Sequence, residues 1–169
     1  LRTISQPGPA SAEPRPTLAS GPVLDNTVGV LGGRLMDMHI VVTVQPGLLR
    51  VQATGHVSLE PAKRTFLEVL DAVAQHGNGA VLFDGTALTG AFNDLERFQY
   101  GEFIAHAVLA FMEEHPSVGS VRFAYVLVPP VQDPQRLGET VAVNRGMVTR
   151  VFGNTTDAIH WLEHSTSGR

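Results

Sequence analysis

Two short runs constrain this chain more than anything else in it. Residues 80–84 (AVLFD) and 121–130 (VRFAYVLVPP) are apolar over most of their length and are closed off by glycines or prolines. A strand with one face in water alternates apolar and polar residues, whereas a run with no polar face belongs to a strand buried on both sides. Both faces of such a sheet must be covered, and the segments between the runs carry helical periodicity. An α/β architecture follows.

From His39 the elements can be read in turn. "HIVVTVQPGLLRVQATGHV" holds two β-rich runs, 39–44 and 48–56, around Gln45-Pro46-Gly47. Proline presets φ and glycine accepts a positive φ there, so the pair forms a hairpin. Leu59, Ala62, Phe66, Leu67, Leu70 and Val73 recur at intervals of three and four, which predicts a helix over 59–76 that stops at Gly77-Asn78-Gly79. "NDLE" sets Asn93 as an N-cap against Glu96 and opens a second helix that runs to about Glu114. After Gly101 that helix is apolar round most of its circumference. It is either deeply buried or leaves an apolar side for a partner or ligand. A short helical stretch around 138–145, a strand at 148–152 and a last helix over 154–163 complete the order ββαβαβαβα. This is a mixed, mostly parallel sheet with helices packed on it, the first strand pair antiparallel and the later crossovers right-handed.

The folded domain so defined spans 36–165. Residues 1–35 hold five of the eleven prolines with Ser, Gly and Ala between them, and bury too little apolar surface to offset their ordering entropy. They are expected to form a disordered leader, with "MDMHIVVTVQ" a clean start for the folded part, and 166–169 a disordered tail. Formal net charge is -4 and the 12 basic residues are scattered singly, so no stripe is offered to nucleic acid. Cysteine is absent, which removes thiol nucleophiles, disulfides and thiolate metal sites and fits a reducing compartment. No apolar run approaches the roughly 18 residues of a membrane span. The expected location is the cytoplasm.

Chemistry-bearing residues are sparse. Asp84 ends the first buried run and could serve as a base, but a lone carboxylate there is more often a turn or cap acceptor. Thr86 and Thr89 are hydroxyls that could accept a phosphate, although such hydroxyls commonly bond their own backbone. His160 and His164 share a helical face, yet Trp161 stands where a metalloprotease needs glutamate, and no metal or other cofactor is expected. There is no Gly-rich phosphate loop and no G-x-S-x-G elbow. Asn154 in "NTT" reads as the N-cap of the last helix rather than a glycosylation site. Tyr100, with Phe92, Phe98 and Phe103 close by, can line an apolar pocket, although aromatics at helical spacing are usually core. Arg145, before the helix-ending Gly146, can present a guanidinium.

The opening hairpin, the "LFD" strand end, "RFAYVL" and above all "ETVAVNRGMVTRVFGNTTDAIHWL" resemble the small SpoIIAA-like proteins of the STAS (anti-sigma-factor antagonist) superfamily, over residues 37–164. The resemblance implies a SpoIIAA-like fold and a non-enzymatic regulatory module that binds a protein partner or a second copy of itself. One branch carries a phosphorylated serine at the helix start after the central strand. Here "GAFNDLERF" puts Asn93 and Asp94 at that place, so the serine switch is missing. A second reading is a carrier or sensor of a small apolar or lipid-like ligand held between the second helix and the sheet. An enzyme ranks third, because no constellation converges.

Overall fold

The structure is a computed structural model that describes residues 38–165, so the expected leader over 1–35 and tail over 166–169 lie outside the described residues. The elements run β1 (His39–Gln45), β2 (Leu48–His56), α1 (Leu59–His76), β3 (Ala80–Thr89), α2 (Asp94–Glu114), β4 (Arg122–Val126), α3 (Leu137–Asn144), β5 (Val148–Phe152) and α4 (Thr155–His164). The strands form one five-stranded sheet in the order β1-β2-β3-β4-β5, antiparallel between β1 and β2 and parallel from β2 to β5. This is the mixed, mostly parallel α/β arrangement that the sequence pattern implies.

A sheet that steps steadily in one direction, with crossovers of one hand, places every crossover helix on the same face. Accordingly α1, α2 and α3 cover one face. Their buried side chains join Leu49, Val51, Val81, Phe83, Phe123 and Tyr125 in the main core. The last helix follows no further strand and crosses to the other face, where Ala158 and Leu162 meet Ala80, Leu82, Ala124 and Val126. From Ala80 to Asp84 and along β4 the alternation is strict, odd positions toward the first three helices and even positions toward α4, whereas past the register shift Leu88 joins the main core.

Local signals act where the sequence placed them. Gly47 turns the hairpin at φ 74° and Gly77 ends α1 in the left-handed region at φ 66°. At the start of α2 the Glu96 N–H donates to Asn93 Oδ1 at 3.0 Å, while the Asn93 N–H donates to Glu96 Oε2 at 2.9 Å, closing a reciprocal capping box. Asn93→Ala is expected to cost about 1 kcal/mol in urea denaturation, the ordinary worth of such a cap; an unchanged midpoint would show the cap to be idle. Asn154 caps α4 by accepting from the Asp157 N–H at 2.9 Å.

Two boundaries differ from the sequence reading. β3 does not end at Asp84 but continues to Thr89, because β2 keeps pairing with it up to His56–Thr89 across a register shift between Gln52 and Thr54. Its ladder with β4 does stop at Asp84–Val126, so Asp84 ends one pairing and lies inside the other. β4 stops at Val126, before the two prolines rather than at them. The chain from Leu127 to Arg136 becomes a loop that leans over the sheet beside α3.

Candidate functional site

The sequence-selected residues separate into three places. Asp84 shares the α4 side of the sheet by alternation, and its carboxylate accepts from the Thr86 hydroxyl at 2.7 Å and the Thr86 N–H at 3.2 Å. Arg50 on the neighbouring strand stands 3.7 Å away. The Thr89 hydroxyl donates to the Gly55 carbonyl at 3.2 Å. These bonds engage Asp84 and both hydroxyls locally where the β3–β4 ladder ends, while Arg50 Nε stays buried without a partner. A phosphate on Thr86 would be set against the Asp84 carboxylate, a like-charge placement that disrupts rather than docks.

The outer side of α2 forms the second place. Leu95 is 65% exposed and Phe98 39%, one helical turn apart. The Arg145 guanidinium sits 5.5 Å from the centre of the Phe98 ring and bonds Glu102, one turn further along, at 2.8 Å. Gly146, in the left-handed region at φ 92°, ends α3 immediately after Arg145. Phe103 lies elsewhere, half-buried with the Lys63 ammonium over its ring at 5.5 Å, and serves the packing of α1 on α2.

Tyr100 belongs to the third place, a cavity of about 110 Å³ between α2, the β3–β4 part of the sheet and the loop that leads into α3. Leu88, Phe92, Ile104, Leu127 and Val151 supply apolar wall, and Phe83 backs the Tyr125 ring at 5.2 Å. Into this wall two phenols are set. Tyr125 is 7% exposed, and its hydroxyl is buried without a hydrogen bond of acceptable geometry. The Tyr100 hydroxyl is its hydrogen-bonding neighbour, in a contact short of a well-formed bond, and burial, the dominant cause, raises both pKa values well above the ordinary phenol range. Both therefore stay neutral donors.

Four charged residues close one side of the cavity, and they cancel. Arg97 stands 3.5 Å from Asp133, and Arg136 stands 3.5 Å from Glu139. Asp133 is further fixed by the N–H groups of Gln135 and Leu137, at 2.9 and 2.6 Å, which anchors the start of α3. Arg136 is in the left-handed region at φ 53°, unusual for a residue with a side chain, and its guanidinium donates to the Val151 carbonyl at 3.2 Å. Glu139 keeps one carboxylate oxygen, Oε2, buried and unbonded.

Burial pushes the Glu139 carboxyl above its usual value, outweighing the pull of Arg136, the Val151 backbone and Arg150. Between the ordinary and the raised value the folded chain holds a proton that the unfolded chain has released, so stability falls as pH rises through that interval. Glu139→Gln is expected to flatten this part of the stability profile, read from urea midpoints of both proteins across about pH 4 to 7. Parallel profiles would show that Glu139 titrates as an ordinary surface carboxylate.

Of this cavity the sequence points to Tyr100, with Phe92 close by. Arg97, Tyr125, Asp133, Arg136 and Glu139 come from α2, β4, a loop and α3, so no spacing joins them. Tyr125 did leave a signal: it is the only hydroxyl-bearing side chain in an otherwise apolar run, and a buried tyrosine usually needs a partner for its hydroxyl. His160 and His164 stack at 4.1 Å, with His164 Nδ1 2.8 Å from the His160 carbonyl oxygen. Among the described residues no group of three acidic or histidine side chains is placed to hold a metal ion. Nor is any helix there long and apolar enough to cross a membrane.

No family model and no curated protein matches the chain. Among solved structures it is similar to an anti-sigma factor antagonist from Mycobacterium paratuberculosis, at 13% identity and a TM-score of 0.48, over 75% of this chain and 95% of that one. It is also similar to an uncharacterised protein of the DUF3478 family with a SpoIIAA-like fold from Shewanella loihica, at 19% identity and a TM-score of 0.42, over 79% of this chain and 99% of that one.

Proposed function

We propose that this chain is a non-enzymatic, STAS-like regulatory module that engages a protein partner through the outer side of α2. The carrying observation is the pair Leu95 and Phe98, exposed at 65% and 39% one turn apart and bordered by the Glu102–Arg145 ion pair. An aromatic and a large aliphatic side chain with an arginine at their edge is the composition of an interface centre with its polar rim. The position at which a related branch would carry a regulatory serine is instead occupied by Asn93, whose side chain is committed to the helix cap. Control by phosphorylation at that point is thereby unsupported.

The test is a parallel affinity capture with the wild-type chain and the double variant Leu95→Asp/Phe98→Ser, combined with sedimentation of each protein alone. A partner held by the wild type and lost by a variant of unchanged thermal stability supports the reading. Concentration-dependent dimerisation lost in the same variant makes the partner a second copy. Identical capture and identical sedimentation would remove this surface from consideration.

A further inference from the structure

The cavity beneath α2 is a different matter from the surface above it. At 3.6 residues per turn, Arg97, Tyr100 and Ile104 face inward while Leu95, Phe98 and Glu102 face outward, so one helix separates the two places. We propose that this cavity is a binding site for an uncharged, ring-sized, mostly apolar molecule carrying one hydroxyl group.

Size comes first. A volume of about 110 Å³ is several times what one water needs, and lies on the scale of the ~150 Å³ apolar cavities that accept benzene. Most of the wall is aliphatic or aromatic, which favours an apolar body. The polar requirement comes from two groups that the fold leaves incomplete: the Tyr125 hydroxyl, whose contact with the Tyr100 hydroxyl falls short of a well-formed hydrogen bond, and Glu139 Oε2, buried and unbonded. A native interior leaves such groups unpaired rarely, and a ligand hydroxyl can accept from a phenol or donate to a carboxylate oxygen. Thr149, also in the wall, is not free for this, since its hydroxyl donates to the Phe123 carbonyl at 3.2 Å.

Charge decides the remaining question. Arg97 is engaged by Asp133, and Arg136 by Glu139. The charges of these four lining residues sum to zero, and Arg97 is shared with Asp94 at 3.1 Å, so among the described lining residues no cation is left over for an acid or phosphate headgroup. An anion would also meet the Glu139 carboxylate in a poorly solvated place. The occupant is therefore neutral, which excludes ionised fatty acids and phospholipid headgroups from this cavity.

The experiment uses the full chain with three probes of equal ring size: phenol, benzene and benzoate, titrated while the methyl signals of Leu88, Ile104 and Val151 are followed by NMR. Phenol is expected to shift these signals saturably in the sub-millimolar to millimolar range, benzene about tenfold more weakly, and benzoate not at all over the same range. Tyr125→Phe keeps the ring and deletes the hydroxyl; it should retain benzene binding and lose the preference for phenol. Absence of saturable binding by phenol, binding of benzoate as tight as phenol, or a preference that survives in Tyr125→Phe would each overturn the proposal. The comparison among probes in the wild type decides even if the variant folds poorly. The proposal is independent of the docking surface: Leu95→Asp/Phe98→Ser should leave phenol binding unchanged, so either can fail alone.

Discussion

Gly101→Val is expected to destabilise the domain by about 3 kcal/mol and Gly101→Ala by about 2 kcal/mol, the range of overpacking in a closed contact. At an open helix position the sign would be the opposite, since alanine is favoured over glycine by about 1 kcal/mol in helical propensity. Here α2 and α3 meet too closely for any side chain. A Cβ on Gly101 would lie 2.5 Å from the Gly138 carbonyl oxygen and 3.1 Å from the Val141 Cβ. A backbone oxygen cannot rotate aside, so α3 itself must move. Gly138 returns the approach less tightly, its own Cβ direction meeting the Arg97 carbonyl oxygen at 3.3 Å. Because α3 carries Glu139 and the loop before it carries Asp133 and Arg136, the displacement also reaches the cavity wall. Urea denaturation of both variants beside Gly153→Ala provides the check, since a Cβ on Gly153 meets nothing within 4 Å and that change should stay within about 0.5 kcal/mol. A neutral or stabilising Gly101→Ala would mean that the two helices are not in close contact in solution.

The same crossing marks the boundary of what the sequence could disclose. Turn and cap residues act within a few positions of themselves, so Gly47, Gly77 and the Asn93–Glu96 box were legible, as were the buried runs of β3 and β4. The order of strands followed from alternation of strand and helix. Gly101 read only as a small residue on an apolar helix, because its partner Gly138 is 37 positions away and the demand for both arises from packing. A ligand site between the second helix and the sheet was within the reading, but the charged side of the cavity was not, for the same reason. Asp133 and Arg136 sit in what reads as a connector, and Glu139 in the short helical stretch after it. Their role depends on a loop folding back over Val151, which the Arg136-to-Val151 bond fixes and no local pattern announces. Asp84 was legible as a turn acceptor, which its bonds from Thr86 match, but the side it occupies was not stated: alternation puts it on the α4 side while Phe83 beside it faces the cavity side.

Phe123→Ala should have the largest effect of any single truncation in β4, about 4 kcal/mol, the middle of the range for a buried aromatic. Phe123 is 1% exposed and stands at the centre of the main core, its ring 5.3 Å from Phe66 of α1 and 6.4 Å from Tyr125. Those neighbours belong to different elements, a helix on one side and the sheet on the other, so neither can close into the space without the other giving way. The cost therefore includes a residual cavity as well as the lost burial. With a urea slope of about 2 kcal/mol/M, the midpoint is expected to fall by about 2 M. The contrast is Leu162→Ala in α4, which faces the smaller core of Ala80, Leu82, Ala124 and Val126 and can settle toward the sheet with fewer neighbours to displace. Its loss should lie nearer 2 kcal/mol. The ordering is the informative result. If Leu162→Ala cost as much as Phe123→Ala, the two faces would contribute equally, and the account of α1 to α3 as the cover that holds the sheet and shapes the cavity would have to be given up.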